Sequence, residues 1–491
     1  MQNDKRYIIP NKPGKILLDA LRNDGLSINA ACGGNGTCGK CAVITPMGKI
    51  LACKTIIDAS FIGMEITIPT QSSSASIVNT YERLQPITCN RNSTLPYGLA
   101  IDIGTTTVAI ELLNIKTGER IAVTSFVNSQ REFGADVITR ILSATTGAHS
   151  ELNKRIKQDI CTGILHILDS SGVSAADISL VVIAGNTTML HLLLDYPCDS
   201  LGVAPFTPLF LDMKKFVFDT LFGSNPAINC EVIILPGMST FVGADISAGL
   251  LTAGWQTAKG HNLLIDLGTN GEMTLFSDNG QVLVTSTAAG PALEAGNISK
   301  GMASVAGAIA KVSYNSDTNV FINETITNAE PIGICGTGVV DITAELIRHG
   351  LVDEAGGIES GEDAISITPG ISFTQRDIRE VQLAKSAVRA GLEILLDTAG
   401  INYTDLENVF LAGGFGYKIN LQNAATLGII PQELTKKVIV LGNSSLGGAA
   451  QVLLDINCER DIQKLTSLAK EVDLSTHPQF SNLFMEYMTM E

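Results

Sequence analysis

The chain repeats one pattern in two places, Leu99-Ala-Ile-Asp-Ile-Gly-Thr-Thr-Thr107 and Leu263-Leu-Ile-Asp-Leu-Gly-Thr-Asn-Gly271. In each stretch an apolar run typical of a buried strand ends in a turn of Asp, a variable residue, Gly and Thr. The two aspartates, Asp102 and Asp266, lie a domain's length apart in sequence. We therefore predict an internal repeat of two α/β lobes, each with its own Asp-x-Gly-Thr turn.

The surrounding sequence supports an α/β fold class. Short β-rich apolar runs, predicted as strands, alternate with longer helical patterns, and they cover residues 98–113, 180–184, 262–276, 409–412 and 437–441. Such alternation is typical of α/β proteins. Hydrophobic residues make up 45% of the 491 residues and charged residues 17%, with 47 glycines, which indicates a globular rather than a disordered chain.

Charge and composition exclude several ligand classes. Lys and Arg number 33 against 49 Asp and Glu, and the net charge of −16 argues against duplex DNA or an anionic membrane as the main ligand. A single Trp and an aromatic content of 5% weaken any base-stacking role. The polar start and the lack of an apolar run of about 18 residues predict a cytoplasmic protein, in which ten cysteines are not expected to form disulfides.

The charge balance also divides the chain. Residues 1–70 are net basic, and the remainder is strongly acidic. A Ser-rich polar stretch with few apolar residues separates the two parts. We predict a small domain over 1–70, a linker over 71–97, a large domain over 98–460 and a C-terminal helical extension over 461–491, in which 475–488 fits an amphipathic helix.

Four of the cysteines lie close together in the sequence. Cys32, Cys38 and Cys41 have the spacing C-x5-C-x2-C, and Cys53 follows twelve residues after Cys41. Glycines between the first three allow a loop to wrap tightly, with backbone N–H groups facing cluster sulfurs. We predict a [2Fe–2S] cluster on these four ligands. A structural zinc is the alternative, although zinc sites favour paired C-x2-C knuckles, and Cys89 is the reserve for Cys53.

The cysteine loop resembles that of adrenodoxin-type [2Fe–2S] ferredoxins, which implies a small β-grasp fold. Those domains open with a two-stranded hairpin. Here Lys5 to Pro10 supplies one strand before a helix near residues 16–21, so we expect the first edge of the sheet to be missing or trimmed.

The two Asp-x-Gly-Thr turns suit a nucleotide triphosphate. Small residues let backbone amides and hydroxyls approach phosphate oxygens, and an aspartate at the strand end can orient Mg²⁺ or its waters. We choose Asp102 and Asp266 as catalytic residues that coordinate Mg²⁺ through water. Each of these turns alone would be weak evidence, whereas two in strand context are strong.

Three further segments resemble the connect-1, connect-2 and adenosine motifs of the acetate and sugar kinase, heat-shock chaperone and actin (ASKHA) superfamily: 183–188, 333–338 and 411–416. That fold closes two RNase H-like lobes over ATP. The resemblance implies these ATP-binding residues: Gly104, Thr105, Thr106, Thr107, Gly185, Asn186, Gly268, Thr269, Asn270, Gly271, Gly336, Thr337, Gly413, Gly414 and Gly416. For two other Gly-rich stretches, 288–296 and 442–448, we favour a structural role over a partner-contacting loop.

The order of cysteine loop, linker and ASKHA motifs closely resembles the reductive activators of corrinoid proteins. It implies that an electron enters at the cluster, that ATP is hydrolysed between Asp102 and Asp266, and that a Co(II) corrinoid is returned to Co(I) for methyl transfer. The implied partners are a corrinoid protein of a methyltransferase system and a low-potential, ferredoxin- or flavodoxin-like electron donor. Longer members carry a middle domain, which we expect to be missing here.

Competing functions remain open on sequence alone. One is an activator of another low-potential metalloenzyme, such as those that serve 2-hydroxyacyl-CoA dehydratases, although these hold a [4Fe–4S] cluster between two subunits. Another is a regulator gated by ATP and redox state. A plain small-molecule kinase is the third alternative, and it is disfavoured because a kinase has no use for an iron–sulfur cluster. The sequence leaves the oligomeric state open and is compatible with a homodimer.

Overall fold

A four-stranded antiparallel sheet with one helix forms the N-terminal domain in the computed structural model, which describes residues 5–24, 26, 28, 36, 41–68, 80–85, 88–414 and 418–490. Its elements are β1 (Lys5–Ile8), α1 (Leu17–Asn23), β2 (Ala42–Thr45), β3 (Gly48–Leu51) and β4 (Glu65–Ile68). The sheet order is β1-β4-β2-β3. Helix α1 buries Leu17, Leu18 and Leu21 because these apolar residues recur on one face. One strand precedes α1 in the described residues, as predicted.

The first lobe contains β5 (Tyr97–Ile103), β6 (Thr107–Asn114), β7 (Arg120–Val127), α2 (Val137–Ser143), α3 (His149–Ser171), β8 (Ile178–Gly185), α4 (Thr187–Leu193), β9 (Lys214–Val217), α5 (Phe218–Phe222), β10 (Glu231–Ile234) and α6 (Ala244–Thr252). Its six-stranded sheet has the order β7-β6-β5-β8-β10-β9. Strand β5 is almost wholly apolar because it lies in the middle of this sheet and is covered on both faces.

The second lobe contains β11 (His261–Leu267), β12 (Gly271–Ser277), β13 (Val282–Thr287), β14 (Ala308–Asn315), β15 (Val320–Thr325), β16 (Gly333–Ile334), α7 (Gly336–Arg348), β17 (Ala364–Thr368), β18 (Ile371–Thr374), α8 (Gln375–Ala399), β19 (Leu406–Ala412), α9 (Leu421–Thr426), β20 (Val438–Gly442), α10 (Ser444–Leu454), α11 (Asn457–Leu468), β21 (Ala469–Glu471) and α12 (Phe480–Glu486). Its main sheet has the order β20-β19-β11-β12-β13-β21. Smaller sheets join β14 to β15 and β16, and β17 to β18.

The two large sheets repeat one arrangement. In the first lobe β5 forms an antiparallel hairpin with β6 and pairs in parallel with β8. In the second lobe β11 pairs in the same two ways with β12 and β19. Asp102 and Asp266 occupy matching register positions, opposite Ala184 and Ala412 on the parallel neighbours. The predicted two-lobed α/β repeat is confirmed.

Helices α6 and α10 pack directly against each other between the two large sheets, and α10 also lies on β5 and β8 of the first lobe. Their separation is set by small residues. A Cβ added to Gly448 would lie 1.9 Å from the carbonyl oxygen of Ala248. The Gly-rich stretch 442–448 therefore begins a buried helix, which agrees with the structural role favoured from sequence.

The boundaries differ from those predicted in two places. Residues 80–85 and 88–96 of the predicted linker lie on the large domain: the Tyr81 hydroxyl donates to Glu111 at 2.9 Å, and Arg91 donates to the carbonyl oxygen of Val452 at 2.6 Å. The C-terminal extension is not wholly helical, because β21 pairs in parallel with β13. Its last helix is α12, much shorter than the predicted 475–488.

Each helix that the structure describes is too short or too polar to cross a bilayer.

The close approach of α6 and α10 generates a stability prediction. We expect Gly448→Ala to lower the free energy of unfolding by about 1–3 kcal/mol or more, because its methyl group would meet backbone that cannot move aside. Gly391→Ala in α8 is the control, since that methyl group would meet the flexible end of Met273, 2.6 Å away, and alanine favours helix by about 1 kcal/mol over glycine. Thermal unfolding of the two variants measures the difference, and equal melting temperatures would contradict it.

Candidate functional site

The two Asp-x-Gly-Thr turns form tight turns in corresponding places, at the ends of β5 and β11. The Gly104 amide donates to the carbonyl oxygen of Thr107 at 2.9 Å, and the Gly268 amide donates to that of Asn270 at 2.9 Å. A Cβ on Gly104 would lie 2.9 Å from the Thr107 carbonyl oxygen, so a side chain there would push the first turn open. Both turns present small polar residues at their tips, as an anion-binding loop requires.

Asp102 is held by the start of helix α10. The Asn443 side-chain amide donates to one carboxylate oxygen of Asp102 at 2.9 Å, and the Ser445 hydroxyl donates to the other at 2.7 Å. Asn443 also caps the helix by accepting from the Leu446 amide at 2.8 Å. Sequence reasoning gave this stretch only a structural role and missed both side chains, which lie more than 300 positions from Asp102.

Further carboxyl groups join the two aspartates. Asp245 comes from the first turn of α6, Glu272 from β12, and Glu294 from the loop after β13. Each side chain is half-buried. Glu294 also accepts from the Thr269 hydroxyl at 2.8 Å, which ties it to the second turn. Sequence analysis missed Asp245 and Glu294, because an isolated acid in a Gly- and Ala-rich stretch carries no spacing signal.

Burial and mutual repulsion raise the pKa values of these acids. Burial raises the pKa of Asp266 to about 8, and the charges of Asp245, Asp102 and Glu294 add to the effect. Burial and then Asp245 and Asp266 hold the pKa of Glu272 well above its usual range. Burial raises the pKa of Asp102 in turn, opposed by its two hydrogen bonds. The cleft therefore favours a bound cation or bound protons.

The arrangement of these acids bears on which cation would fit. Among the residues described, no three His, Cys, Asp or Glu side chains are grouped so that they could ligate one ion directly. Mg²⁺ commonly uses only one or two carboxylates and completes its shell with waters and nucleotide phosphates. The carboxyl cluster fits that mode, as the sequence analysis proposed for Asp102 and Asp266.

Other predicted ATP-binding residues lie at the same edge of the sheets. The Asn186 side-chain amide donates to the Thr105 hydroxyl at 2.9 Å, which joins the end of β8 to the first turn. Gly413 follows β19 with φ of +93°, and a Cβ there would lie 2.7 Å from Asp266 Oδ1. Gly185 adjoins Asn186, Gly414 faces open space, and Gly416 lies outside the described residues.

The segment predicted as connect-2 lies elsewhere in the second lobe. Gly336 and Thr337 begin α7 beside β14, where the Cys335 thiol contacts the Ile309 carbonyl oxygen at 3.2 Å. In the contacts that the structure gives for them, neither residue reaches Asp102 or Asp266. The closely packed helices between the lobes are instead α6 and α10, so the predicted ATP contacts of Gly336 and Thr337 stay predictions.

The first turn is backed by two buried side chains. The Asn128 side-chain amide donates to the Gly104 carbonyl oxygen at 2.9 Å. The Arg140 guanidinium donates to the Thr105 carbonyl oxygen and, at 2.9 Å, to that of Gly134. Arg140 is fully buried, and this burial lowers its pKa to about 9. A positive charge therefore stands directly behind the turn that would receive phosphate.

Two of the four predicted cluster ligands lie side by side in the N-terminal domain. The Cys41 and Cys53 sulfurs are 3.2 Å apart, buried and not in a disulfide. Cys53 sits on the 3₁₀ turn Ala52–Lys54 directly after β3. Cys32 and Cys38 lie outside the described residues. Such a thiol pair fits one edge of a thiolate-held cluster, whereas Cys89 packs against the core of the first lobe, which favours Cys53 as the fourth ligand.

Three family models match the chain in sequence order. Residues 1–59 match a 2Fe-2S iron-sulfur cluster binding domain, residues 97–258 the RACo middle region, and residues 260–491 the C-terminal ASKHA domain of RACo. The expectation that a middle domain is missing was therefore wrong. The segment interpreted from its motifs as the first ASKHA lobe is the one that matches the middle region.

Characterised relatives resemble the chain along most of its length. The corrinoid activation enzyme RamQ of Eubacterium limosum is 29% identical over an alignment 575 positions long, gaps included, which covers 96% of this chain and 95% of the relative. A Co(II) methylated amine-specific corrinoid protein reductase of Methanosarcina barkeri is 25% identical over 419 residues, covering 79% and 76%.

A solved structure of a reductive activator for a corrinoid, iron-sulfur protein superposes with a TM-score of 0.73 at 25% identity, and covers 97% of this chain and 96% of its own. Together with the three family matches, this similarity shows that the chain belongs to the RACo family, with an iron–sulfur domain, a middle region and an ASKHA C-terminal domain.

Proposed function

We propose that this protein is an ATP-dependent reductive activator of a corrinoid protein. It delivers one electron to a Co(II) corrinoid and so forms Co(I), the nucleophile that accepts a methyl group, while ATP and water become ADP and phosphate. One observation carries the proposal: a ferredoxin-like domain with the paired Cys41 and Cys53 thiols shares a chain with two nucleotide turns that meet at a carboxyl cluster. The names of the relatives supply the substrate class.

The cluster ligands are assigned to Cys32, Cys38, Cys41 and Cys53. When bound there, a [2Fe–2S] centre supplies a single electron at low potential, about −400 mV for plant-type centres. A ferredoxin- or flavodoxin-like donor in the cytoplasm is the electron source in this proposal. The protein contributes burial, since Cys41 and Cys53 are 1% and 5% exposed, and burial is one of the features that set a cluster's potential.

The lobes use ATP because the electron transfer is expected to be uphill. Each 59 mV of unfavourable potential costs tenfold in a one-electron equilibrium. Asn443 and Ser445 fix the Asp102 carboxylate, and Asp266 faces the same cleft from the second lobe. In the proposed site these two acids orient the waters of Mg²⁺, and the turn residues hold the phosphates. Hydrolysis then works mainly by positioning and charge neutralisation.

The role of Asp266 can be tested with an isosteric change. Asp266→Asn should lower ATP-dependent Co(I) formation by about 100-fold or more, because the charge that organises the metal and its waters is lost. The visible iron–sulfur spectrum should stay unchanged, since the cluster lies in another domain. The measurement mixes reduced protein anaerobically with a Co(II) corrinoid protein, with and without MgATP, and follows the Co(I) absorbance band.

Asp212→Asn is the matched control for this experiment, because Asp212 is exposed and pairs with nearby Lys214 at 2.8 Å. It should behave as the unaltered protein does. Full activation by the Asp266 variant would overturn the assigned role.

The fourth cluster ligand can be identified by two serine variants. We expect Cys53→Ser to lose most of the bound iron and the charge-transfer absorbance, because one thiolate of the set is removed. Cys89→Ser should keep both, since Cys89 packs against the first lobe. Both variants should still bind MgATP, measured by calorimetry. Loss of iron from the Cys89 variant alone would show that the fourth ligand had been assigned wrongly.

The carboxyl cluster predicts how stability depends on pH. Since the folded pKa of Asp266 is raised to about 8 from an ordinary value near 4, the folded chain keeps a proton that the unfolded chain releases. Stability is therefore highest below about pH 4 and falls as the pH rises toward the folded pKa, by up to about 1.4 kcal/mol per pH unit for each such proton, and the fall ends above that pKa.

Melting temperatures between pH 6 and 9 measure this slope. Asp266→Asn should flatten it, and MgATP should reduce it by stabilising the ionised carboxylates. A slope that the substitution leaves unchanged would contradict the assigned cause.

A further inference from the structure

The N-terminal domain contacts the first lobe through Arg22, near the end of α1. The Arg22 guanidinium donates to the carbonyl oxygen of Glu132 and lies over the Phe133 ring, 4.8 Å from its centroid. The planar guanidinium suits such stacking. Helix α1 also packs on the turn Ala52–Lys54, which carries Cys53. Arg22 therefore extends from an element beside the cysteine pair onto the first lobe.

The surface that Arg22 meets is a short, well-anchored segment, Asn128–Phe133, between β7 and α2. Its core is a 3₁₀ turn over Ser129–Glu132, in which the Asn128 side chain accepts from the Gln130 amide at 3.0 Å. Gln130 is fully buried and donates to the Leu152 carbonyl oxygen at 2.8 Å, while the Ser129 amide donates to Asp159 at 2.9 Å. These hydrogen bonds fix the segment to α3.

The other end of the same segment grips the first nucleotide turn. The Asn128 amide donates to the Thr106 carbonyl oxygen at 3.0 Å, and its side chain donates to that of Gly104 at 2.9 Å. Asn128 is fully buried. Within six residues, the segment therefore makes two contacts with the first nucleotide turn at one end and two contacts with Arg22 at the other.

We propose that Arg22 couples nucleotide binding at the Gly104–Thr107 turn to docking of the iron–sulfur domain on the first lobe. This inference rests on the proposed function, because it requires a nucleotide at that turn. Phosphate oxygens that draw in the amides and hydroxyls of the turn also shift the Gly104 and Thr106 carbonyls that Asn128 holds. The segment transmits that shift to Glu132 and Phe133, and so changes the Arg22 contact.

Because coupling between two sites is reciprocal, the contact must also alter nucleotide affinity. Docking through Arg22 and binding of MgATP therefore change each other by the same factor. Coupling of this kind is typically about 5-fold or more.

Hydrogen exchange of the full-length, cluster-loaded protein, with and without MgATP, tests the coupling. MgATP should change exchange in peptides that cover the turn 104–107, the segment 128–133 and helix α1 at 17–23. In Arg22→Ala the response at 104–107 should remain and the response at 17–23 should disappear. The dissociation constant for MgATP should differ between the two proteins by about 5-fold or more.

Arg6→Ala is the matched control, since Arg6 is an exposed cation of the same domain, paired with Glu65 at 3.5 Å. Phe133→Leu approaches the contact from the lobe side, so that the test survives if Arg22→Ala fails to load its cluster. It should lose the same response at 17–23.

The outcomes separate this proposal from the proposed function. No response at 104–107 in the unaltered protein would mean that nucleotide does not bind at the first turn, which overturns the assigned ATP site and this inference with it. A response at 104–107 without one at 17–23 would overturn the coupling alone. A response at 17–23 that survives in both Arg22→Ala and Phe133→Leu would show that Arg22 does not carry it.

Discussion

Helices α6 and α10 can cross as closely as they do only because Ala248 and Gly448 meet there without larger side chains. The rest of the site depends on this crossing. It brings Asn443 and Ser445, at the start of α10, to the carboxylate of Asp102, and it carries Asp245 on α6 into the cleft with Asp266. Residues from distant parts of the chain therefore form one site because small residues let the two helices pack closely where they touch.

The cleft that results works against the stability of the fold. Several carboxyl groups are half-buried beside one another, and the charges of Asp102, Asp245 and Asp266 raise the pKa values of acids next to them. A protein that needed only to fold would not retain such repulsion, which is why clusters of perturbed acids are associated with function. Arg140 presents the opposite case on the far side of the first turn, as a fully buried cation that donates to backbone carbonyls rather than to an acid. Acids on one side and a cation on the other suit a metal-bound triphosphate.

Much of the fold could be predicted from sequence because its signals are local. An apolar strand that ends in Asp, Gly and Thr is readable within nine residues, and its recurrence revealed the duplication. The partners of Asp102 could not be predicted in this way, because Asn443 and Ser445 look like ordinary helix-start residues and acquire their role only through the crossing of two helices. Asp245 and Glu294 were missed because an isolated acid in a Gly- and Ala-rich stretch carries no spacing signal.

Two other differences have physical causes of their own. The part of the predicted linker near Tyr81 and Arg91 looked unstructured because it is polar, yet those polar groups bond to the large domain. The middle region was judged absent because its motifs are those of a first ASKHA lobe, so composition and motif order could not separate the two.

The position of α10 has a consequence for synthesis. Strands β5 and β8 of the first lobe are complete once residue 185 has been made, but the helix that covers them spans Ser444–Leu454. At about 5–20 residues per second, the ribosome needs roughly 10–50 s to reach that helix. During that interval the apolar face of the sheet lacks the helix that covers it. A nascent chain of this architecture therefore depends on chaperones or on temporary collapse until residues 444–454 emerge.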